Sequence, residues 1–479
     1  MKILLPKEAK EIMQKLKKGG FQAFAVGGCV RDILIGRQTK DWDFTTDAQP
    51  PEIQALFPKS YYDNKYGTVG IPIKKNVILS GAKNPPRKTA NGWDPSSRRN
   101  LGTQDDKVIY EITTFRSELG YTDYRHPDKI IFGKTLEEDL KRRDFTINAI
   151  ATDGNKIIDP FDGRSDLKDK LIRAVGRAKE RFQEDALRMM RAVRITTELQ
   201  FLIEEDTFEA IRRNAHLITK ISSERIRDEL LKIMSSDFPA DGIKLLRNSR
   251  LLEIILPELD KCFGIEQKSP QRHHLYDVGT HLIMSLQSCS SKDPIVRLAT
   301  LLHDIGKAPT FNKTKKGVIT FYNHEIVGTS IVRNIAQKLH FSRKDRDRLI
   351  RLVRYHQFTV DERQTDSAVR RFIRNVGKEN LEDILALRTG DRLGGGARET
   401  SWRLELFKKR LLEVQKQPFT VSDLKIDGYD VMKIYQISPG PLVGTVLDML
   451  FNDVVEGKIK NEKEILLKRI FQLKKESEH

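Results

Sequence analysis

Two aspartates with a single residue between them are the most informative feature of this chain. Asp41 and Asp43 follow shortly after the run GGCVRD at residues 27–32. Residues 42–45 have the pattern of a strand, on which alternate side chains point to the same face, so we expect the two carboxylates to lie side by side. Like charges repel, and the pair becomes favourable when Mg²⁺ lies between the carboxylates and also binds substrate phosphates. The pair predicts a magnesium site for phosphoryl or nucleotidyl transfer.

A phosphate cradle is predicted just before the aspartates. Residues 21–26 (FQAFAV) have a strand pattern, and residues 30–35 have the pattern of a helix start. Gly27 and Gly28 between them permit a tight turn and a close approach of the backbone to a ligand. Free N–H groups at a helix start can hold a phosphate. We therefore expect Gly27, Gly28 and Arg31 to hold phosphates beside the metal.

The elements that must position these residues follow from the pattern along the chain. Strands mix with helices up to about residue 160, and helical periodicity dominates from about residue 166 onward. Residues 108–115 (VIYEITTF) have a strong strand pattern. The segment 75–107 is rich in Asn, Gly, Pro, Ser and Arg, so we expect a mobile basic insertion in the sheet.

The composition favours a protein of several domains that binds a polyanion. The chain has 479 residues, with 85 Lys and Arg against 67 Asp and Glu, and its formal net charge of +18 suits RNA. Three cysteines form no C-x-x-C pair, which disfavours a disulfide framework and indicates a reducing cytoplasm. No stretch approaches about 18 apolar residues, so we expect no signal peptide and no membrane span.

A second polar motif, RRDFTINA, occupies residues 142–149. Arg143 offers a planar donor fork to triphosphate oxygens. Asp144 either orients that fork or contacts the ribose, and Asn148 is placed to hydrogen-bond the sugar. Glu111, on the predicted strand 108–115, is either a third carboxylate facing the metals or a charge on the strand surface.

Residues 182–194 (FQEDALRMMRAVR) have a helical pattern on which Asp185 and Arg188 share a face. A carboxylate accepts from the exocyclic amino group of cytosine or adenine, and a guanidinium donates to the adjacent ring nitrogen. Uracil and guanine present a carbonyl and an N–H there, so the pair predicts selection of CTP and ATP. The alternative is an ordinary ion pair on a helix surface. Arg191 continues the helix face that carries Asp185 and Arg188. Arg194 is rotated from that face by about half a turn and is expected to contact a phosphate, RNA or a neighbouring acid.

A third set of polar residues lies in the second half of the chain, around the motif LLHDIGK at residues 301–307. Its members are the candidate metal ligands His281, His303, Asp304, His324, His356 and Asp391. The set resembles that of HD domains, a family of metal-dependent phosphohydrolases. Imidazole and carboxylate ligands suit Mn²⁺, Ni²⁺, Fe²⁺ or Mg²⁺, whose bound water attacks phosphorus. The alternative is that this region is a structural scaffold that binds no metal.

Taken in order, the motifs resemble those of class II tRNA CCA-adding enzymes, in the superfamily that also holds bacterial poly(A) polymerases. The likeness extends to GYDVM at 428–432 and SPGPLVG at 438–444. It implies an α+β fold, with an N-terminal nucleotidyltransferase head on a mixed β-sheet and all-α neck, body, HD and tail regions. It also implies Mg²⁺-dependent addition of CMP and AMP, from CTP and ATP, to the tRNA 3′ end.

The resemblance divides the chain into four expected domains. They are a head at 1–163, a helical neck and body at 164–270 for nucleotide selection and RNA binding, an HD domain at 271–398 and a helical tail at 399–479. Three alternatives stay open: a poly(A) polymerase or a partial CC- or A-adding enzyme, an HD phosphohydrolase whose head only binds nucleotides, and a charge-driven RNA-binding protein. The segment 122–127 (TDYRHP) favours full CCA addition. The sequence carries no signal for an oligomeric state.

Overall fold

The computed structural model describes residues 5–39, 41–62, 67–74, 107–119, 129–133, 135–267, 276–358, 360–415 and 421–477. The chain divides into two compact units, Met1–Ser222 and Ser223–His479. The predicted insertion lies outside the described residues except for Lys107, which begins a strand, and the loop 122–127 also lies outside them. Within the described ranges, no helix is both long enough and apolar enough to cross a membrane.

A mixed sheet forms the centre of the first unit. The strands are β1 (Ala23–Val26), β2 (Asp43–Thr46), β3 (Tyr61–Tyr62), β4 (Thr68–Lys74), β5 (Lys107–Thr114), β6 (Arg116–Leu119), β7 (Lys129–Phe132), β8 (Ala151–Thr152), β9 (Ile157–Ile158), β10 (Leu171–Ile172) and β11 (Leu202–Ile203). Among the described residues the main sheet has the order β3-β4-β5-β2-β1-β8-β9. Within the main sheet, β2 is parallel to β5, and all other neighbouring strands are antiparallel.

Alternation along β2 separates the core from the functional face. Trp42 and Phe44 are buried and their rings stack 6.1 Å apart, with Tyr110 of β5 packed against both. Because side chains alternate along a strand, Asp43 points to the opposite face from these rings. The aromatic residues of the core therefore orient the carboxylate away from it.

Helices and two short 3₁₀ turns complete the first unit. They are α1 (Lys7–Lys18), α2 (Gly28–Leu34), α3 (Pro50–Leu56), α4 (Leu136–Lys141), a 3₁₀ turn (Thr146–Asn148), α5 (Gly163–Asp169), α6 (Ala178–Glu184), α7 (Leu187–Leu199), α8 (Glu205–Asn214) and a second 3₁₀ turn (Ala215–Lys220). The predicted continuous helix over 182–194 is wrong. Asp185 has extended backbone angles between α6 and α7, and its side chain accepts a hydrogen bond from the N–H of Leu187. A short acidic side chain that accepts a hydrogen bond from the backbone two residues further on favours a turn, and hence this break.

The second unit consists mainly of helices. They are α9 (Ser223–Ser235), α10 (Pro239–Asn248), α11 (Leu252–Ile255), α12 (Pro257–Asp260), α13 (Val278–Gln287), α14 (Pro294–Leu302), α15 (Lys307–Thr310), α16 (His324–Lys338), α17 (Arg343–Arg354), α18 (Asp366–Val376), α19 (Leu381–Gly394), α20 (Trp402–Val414), α21 (Gly428–Tyr435), α22 (Pro441–Val455) and α23 (Lys463–Ser477). A hairpin of β12 (Asn312–Lys313) and β13 (Ile319–Thr320) precedes α16. The predicted α+β fold class, a mixed sheet followed by helices, is confirmed.

α14 is the central helix of the second unit, because every residue from Ile295 to Leu302 is buried. α13 and α19 pack closely because Gly394 has no Cβ, which would lie 2.4 Å from the N atom of Ser285. This close approach brings polar residues of α13 and α19 together with the end of α14. The division into four domains stays a prediction.

Candidate functional site

Three acidic residues, termed here the acidic cluster, lie on or just before the paired strands β2 and β5. Asp43 and Glu111 are register partners on the parallel strands β2 and β5, and the N–H of Glu111 donates to the carbonyl of Trp42 at 3.1 Å. Register partners on parallel strands share a face, and alternation places Asp41 on that same face. Burial raises the pKa of Asp43, and the charge of Asp41 raises it further. The charges of Arg143 and Arg191 lower this pKa without cancelling the effect of burial, so the pKa of Asp43 stays above its ordinary value. A divalent cation would favour the charged form of such a carboxylate.

Gly27 brings the backbone against this acidic cluster. It follows β1 with φ +83°, and its N–H donates to the carbonyl of Ile150 at 3.2 Å. A Cβ at this position would lie 3.0 Å from Nη1 of Arg143 and 3.6 Å from Oδ2 of Asp43. The guanidinium of Arg143 and the carboxylate of Asp43 therefore both lie close to the turn that is predicted to bind phosphate.

Arg143 is held in place by Asp139, which the sequence analysis did not select. Asp139 is fully buried on α4, and its carboxylate contacts Nη2 of Arg142 at 2.6 Å and Nη2 of Arg143 at 3.2 Å, and accepts from the hydroxyl of Thr45 at 3.2 Å. Burial alone raises the pKa of Asp139, but Arg142 and Arg143 outweigh it and lower the pKa overall. The spacing of four residues between Asp139 and Arg143 is the sequence signal that points to this pair.

A chain of charged and polar hydrogen bonds links the motif RRDFTINA to α2 and α7. Nη1 of Arg31 donates to Oδ1 of Asn148 at 2.8 Å, and Nδ2 of Asn148 donates to Oδ1 of Asp144 at 3.1 Å. Nε and Nη2 of Arg191 donate to Oδ2 of Asp144 at 2.9 and 2.6 Å. Burial raises the pKa of Asp144, but Arg191 and Asn148 hold it well below its ordinary value. Asp144 thus orients Arg191, whereas Asp139 orients the fork of Arg143.

The predicted base-selecting residues lie at the junction of α6 and α7. Arg188 is buried, and its guanidinium donates to Oε2 of Glu184 at 2.6 Å and to the carbonyl of Arg142 at 2.9 Å. Arg194 donates to the carboxylate of Glu198 at 2.8 Å, so a neighbouring acid is the observed partner. Asp185 and Arg188 are close in the chain but do not share a helix, because Asp185 precedes α7.

Replacing Gly27 with alanine is expected to weaken nucleotide use selectively. The added Cβ meets Arg143 at 3.0 Å, and φ +83° disfavours an L residue. We expect KM for the nucleotide to rise by about 10-fold or more, since losing a charge-assisted hydrogen bond costs roughly 1.5–3 kcal/mol. Gly36→Ala is the matched control, because Gly36 also has positive φ (+73°) and open space around its Cβ position. If the two variants have equal KM values, Gly27 has no special role.

The six predicted ligands in the second unit come together in one buried cluster, termed here the His/Asp centre. Its members are His281, His303, Asp304, His324, His356 and Asp391. The ligand atoms fall into two groups, His281 with His303 and Asp391, and Asp304 with His324 and His356. Within each group these atoms lie within 4.8 Å of one another.

Asp304 joins the two groups. Its Oδ1 is 3.2 Å from Nε2 of His324 and 3.4 Å from Nε2 of His356. Its Oδ2 is 3.5 Å from Nε2 of His281 and 3.3 Å from Nε2 of His303. The two oxygens of this carboxylate therefore face different histidine pairs.

Backbone carbonyls orient three of the imidazoles. Nδ1 of His303 lies 2.7 Å from the carbonyl of Thr300, and Nδ1 of His324 and of His356 each lie 2.8 Å from the carbonyl three residues before. A carbonyl only accepts, so Nδ1 carries the proton and Nε2 faces the centre. This arrangement is typical of histidines that bind metals through Nε2.

The charges of the His/Asp centre are compensated within it. Burial raises the pKa of Asp304, but Lys307, at 2.7 Å, and His303 outweigh it and hold the pKa well below its ordinary value. Burial lowers the pKa of His303, but Asp304 and Asp391 raise it overall to about 10. The positive charge that balances Asp304 thus comes from Lys307 and His303. Four imidazoles with two carboxylates are a donor set that also fits a divalent transition metal.

Comparisons with known proteins match three parts of the chain to family models. The family model described as "Poly A polymerase head domain" matches residues 23–83 and 87–173. The model "Probable RNA and SrmB- binding site of polymerase A" matches residues 200–263, and "tRNA nucleotidyltransferase domain 2 putative" matches residues 316–470.

Relatives that match along almost the whole chain indicate the same family. The CCA-adding enzyme of Ligilactobacillus salivarius is 31% identical over 98% of this chain and 97% of its own length. The structure of the Bacillus stearothermophilus CCA-adding enzyme in complex with CTP is 28% identical, covers 99% of each chain and has a TM-score of 0.68. The Thermotoga maritima CCA-adding enzyme, at 19% identity over 98% and 96% of the two chains and a TM-score of 0.58, shares the fold. The chain therefore belongs to the CCA-adding enzyme family of tRNA nucleotidyltransferases.

Proposed function

We propose that this protein adds CMP and AMP, taken from CTP and ATP, to the 3′ end of tRNA. The observation that carries the proposal is Asp43, which is paired in register with Glu111 and interacts with the charges of Arg143 and Asp41. Carboxylate oxygens at the start of the central strand β2 and on its neighbour β5 fit Mg²⁺, and Asp41, Asp43 and Glu111 would hold it. When bound, Mg²⁺ lowers the pKa of the attacking hydroxyl and neutralises charge on the triphosphate.

The residues of the chain itself position the nucleotide. Arg143, fixed by Asp139, presents donors to the triphosphate next to the turn at Gly27 and Gly28. Arg31, whose Nη1 donates to Oδ1 of Asn148, lies beside Gly28 and is proposed to hold phosphates together with Gly27 and Gly28. Preorganised donors of this kind stabilise charge that develops on the phosphates without reorganising during the reaction.

Base selection is assigned to Asp185 and Arg188, with Arg191 beside them. The buried position of Arg188, held by Glu184 and the carbonyl of Arg142, supports a guanidinium in one fixed orientation. A fixed donor and a fixed acceptor discriminate amino bases from carbonyl bases better than mobile ones do. Arg194, paired with Glu198, is assigned to the support of α7.

Replacing Arg188 with alanine is expected to relax selection against UTP and GTP. Each bidentate base contact is worth roughly 1–3 kcal/mol, so the ratio of correct to wrong incorporation should fall by about 10- to 100-fold. The measurement is single-nucleotide incorporation from each of the four triphosphates. Arg212→Ala removes an arginine that pairs with Glu209 on α8 and should leave the ratio unchanged. Equal ratios in the wild type and Arg188→Ala would remove Arg188 from base selection.

A tRNA substrate is proposed from three observations. Solved relatives were crystallised with tRNA or CTP, a family model for RNA binding matches residues 200–263, and the chain carries a net charge of +18. A cytoplasmic location, where tRNA is processed, stays part of this proposal.

Product lengths test the proposal against its alternatives. We would incubate the protein with tRNA that lacks its 3′ terminus, Mg²⁺ and each labelled triphosphate in turn. CTP alone should add two residues, ATP alone should add none, and both together should add three. Long runs from ATP alone would identify a poly(A) polymerase, and termination after CC would identify a partial enzyme.

A second activity is proposed for the His/Asp centre, which we assign to an HD-type phosphohydrolase. Its support is the convergence of four Nε2 atoms and two carboxylates, joined through Asp304. The two groups would hold divalent metal ions such as Mn²⁺, Ni²⁺, Fe²⁺ or Mg²⁺, which lower the pKa of a bound water. The residues beside them, Lys307 among them, would hold the phosphate. Hydrolysis of a 2′,3′-cyclic phosphate on an RNA end is the reaction to assay first.

A further inference from the structure

A buried carboxylate joins the strand that carries Asp43 to the arginine proposed for the triphosphate. Thr45 lies two positions after Asp43 on β2, so the two side chains point to the same face of the sheet. The hydroxyl of Thr45 lies 3.2 Å from Oδ2 of Asp139, and the same oxygen accepts from Nη2 of Arg143 at 3.2 Å. Nη1 of this guanidinium lies against the turn at Gly27. Asp139 thus fixes one end of the fork, and the other end is directed at the predicted phosphate cradle.

The second oxygen of Asp139 supports the arginine assigned to base selection. Oδ1 accepts from Nε and Nη2 of Arg142 at 3.0 and 2.6 Å. Arg142 follows the last residue of α4, and its main-chain carbonyl accepts from Nη2 of Arg188 at 2.9 Å. The preceding carbonyl, of Lys141, accepts from Nη1 of Arg181 at 3.0 Å. The end of α4 therefore receives one guanidinium from α6 and one from α7, and Asp139 holds the side chain at that end.

Burial makes this arrangement rigid. The side chain of Asp139 is fully buried, and those of Arg142 and Arg143 are each 18% exposed. Leu140, the next residue of α4, is fully buried in the core of the first unit. A buried charge fixes the geometry of its partners, because moving one of them away leaves the charge uncompensated. One carboxylate therefore sets the positions of two guanidinium groups relative to each other.

We infer that Asp139 is a positioning residue for nucleotide recognition, which fixes Arg143 for the triphosphate and, through Arg142, fixes Arg188 for the base. The inference rests on the roles proposed above for Arg143 and Arg188, and it adds that one carboxylate aligns the two. A base that pairs with Arg188 then brings its phosphates into line with Arg143, whereas a wrong base displaces them. Nucleotide binding and base selection should therefore weaken together when Asp139 loses its charge.

Replacing Asp139 with asparagine is the direct test. The amide keeps the volume, but one oxygen becomes an NH₂ group, which cannot accept from a guanidinium. We expect KM for CTP to rise by about 10-fold and the ratio of CMP to UMP incorporated to fall by about 10-fold, since bonds to charged groups and to base edges each contribute this order. If Asp139 only stabilised the fold, fewer molecules would be active, which lowers kcat but changes neither KM nor the ratio.

Two arginine variants separate the two branches. Arg143→Ala should raise KM for CTP and keep the wild-type ratio, because the base contact is intact. Arg142→Ala leaves the carbonyl that accepts from Arg188 but removes its link to Asp139, so it should lower the ratio and raise KM less than Asp139→Asn does. A wild-type ratio in Asp139→Asn or in Arg142→Ala would overturn the alignment of the two arginines.

Thr45 offers the same test without a change of charge, in case Asp139→Asn does not fold. Thr45→Val removes the hydroxyl that lies against Oδ2 of Asp139 and keeps a β-branched residue in β2. We expect KM for CTP to rise by about threefold or more, and Thr45→Ser, which restores the hydroxyl, to return it to the wild-type value. Glu229→Gln is the matched control, because Glu229 is a buried acid on α9 whose partner, Lys232, lies at 3.1 Å. Its KM and its ratio should equal those of the wild type.

Equilibrium binding separates this inference from the proposal beneath it. The dissociation constant of CTP, measured with Mg²⁺ and without tRNA, requires no nucleotide transfer. If the wild type transfers nucleotides but Asp139→Asn and Thr45→Val match its affinity for CTP and its ratio, the proposed function stands and the positioning role fails. If no nucleotide reaches tRNA but both variants bind CTP more weakly than Glu229→Gln, Asp139 positions a nucleotide-binding site and the transferase fails.

Discussion

Replacing Asp43 with asparagine is expected to reduce CMP incorporation by more than about 1000-fold, because a metal-held charge in the transition state is worth several kcal/mol. Asp41→Ala should abolish incorporation in the same way. Neither change should unfold the protein. Burial and Asp41 disfavour the charged form of Asp43 in the folded state by more than Arg143 and Arg191 favour it, so the neutral amide removes a net destabilisation. The thermal unfolding midpoint in EDTA should therefore stay the same or rise.

Asp47→Asn provides the control within the same head. Asp47 follows β2 and accepts hydrogen bonds from the N–H and the side chain of Gln22, away from the acidic cluster. Its incorporation rate should stay within about twofold of the wild type, as for surface substitutions in general. Wild-type incorporation by Asp43→Asn would end the proposal for the head. An equal loss in Asp47→Asn would show that the effect is structural.

Replacing Asp304 with asparagine is expected to remove bound metal from the His/Asp centre. The amide keeps the volume but loses the charge that faces four imidazoles. Second-sphere changes alone cost metal sites 10- to 100-fold, about the minimum expected for a ligand itself. Metal content after dialysis against Mn²⁺, measured by mass spectrometry, should fall, and any phosphohydrolase activity should fall with it. CMP incorporation should not change, because the carboxylates that serve it belong to the head.

Histidine substitutions supply the matched pair for this test. His324→Asn removes one buried ligand, whereas His340→Asn removes a 62% exposed histidine whose partner is Glu224. His340 has φ +51°, a conformation that asparagine tolerates. Metal content should fall in the first variant only. Equal metal content in the two variants would refute the assignment of His324 as a ligand.

Local patterns predicted much of the head. The turn at Gly27, the strand at Asp43 and the strand that carries Glu111 follow from hydrophobic alternation and glycine placement, and the structure has them where expected. Whether Glu111 faces the acidic cluster was open in the sequence. The parallel pairing of β2 with β5 decides it, because the register makes Glu111 the direct neighbour of Asp43.

The pairing of charged side chains was the least predictable part of the site. Periodicity assigned Asp185 to a helix, but the local competition between helix and cap ends α6 before it. The spacing between Asp139 and Arg143 indicates a pair, but the complete burial of Asp139 follows only from the packing of α4. The partners of a long side chain depend on its position in the tertiary structure, and the spacing of residues along one element does not specify that position.

The sequence by itself determined which functional groups are available. These are the order of its motifs, the D-x-D alternation and the ligand types of the His/Asp centre. The tertiary structure alone decided which of these side chains meet. Asp391 and His281 are 110 positions apart, and they come within 3.3 Å because Gly394 lets α19 approach α13. Such contacts depend on strand register and on helix packing distance, and neither is encoded in any single segment of the chain.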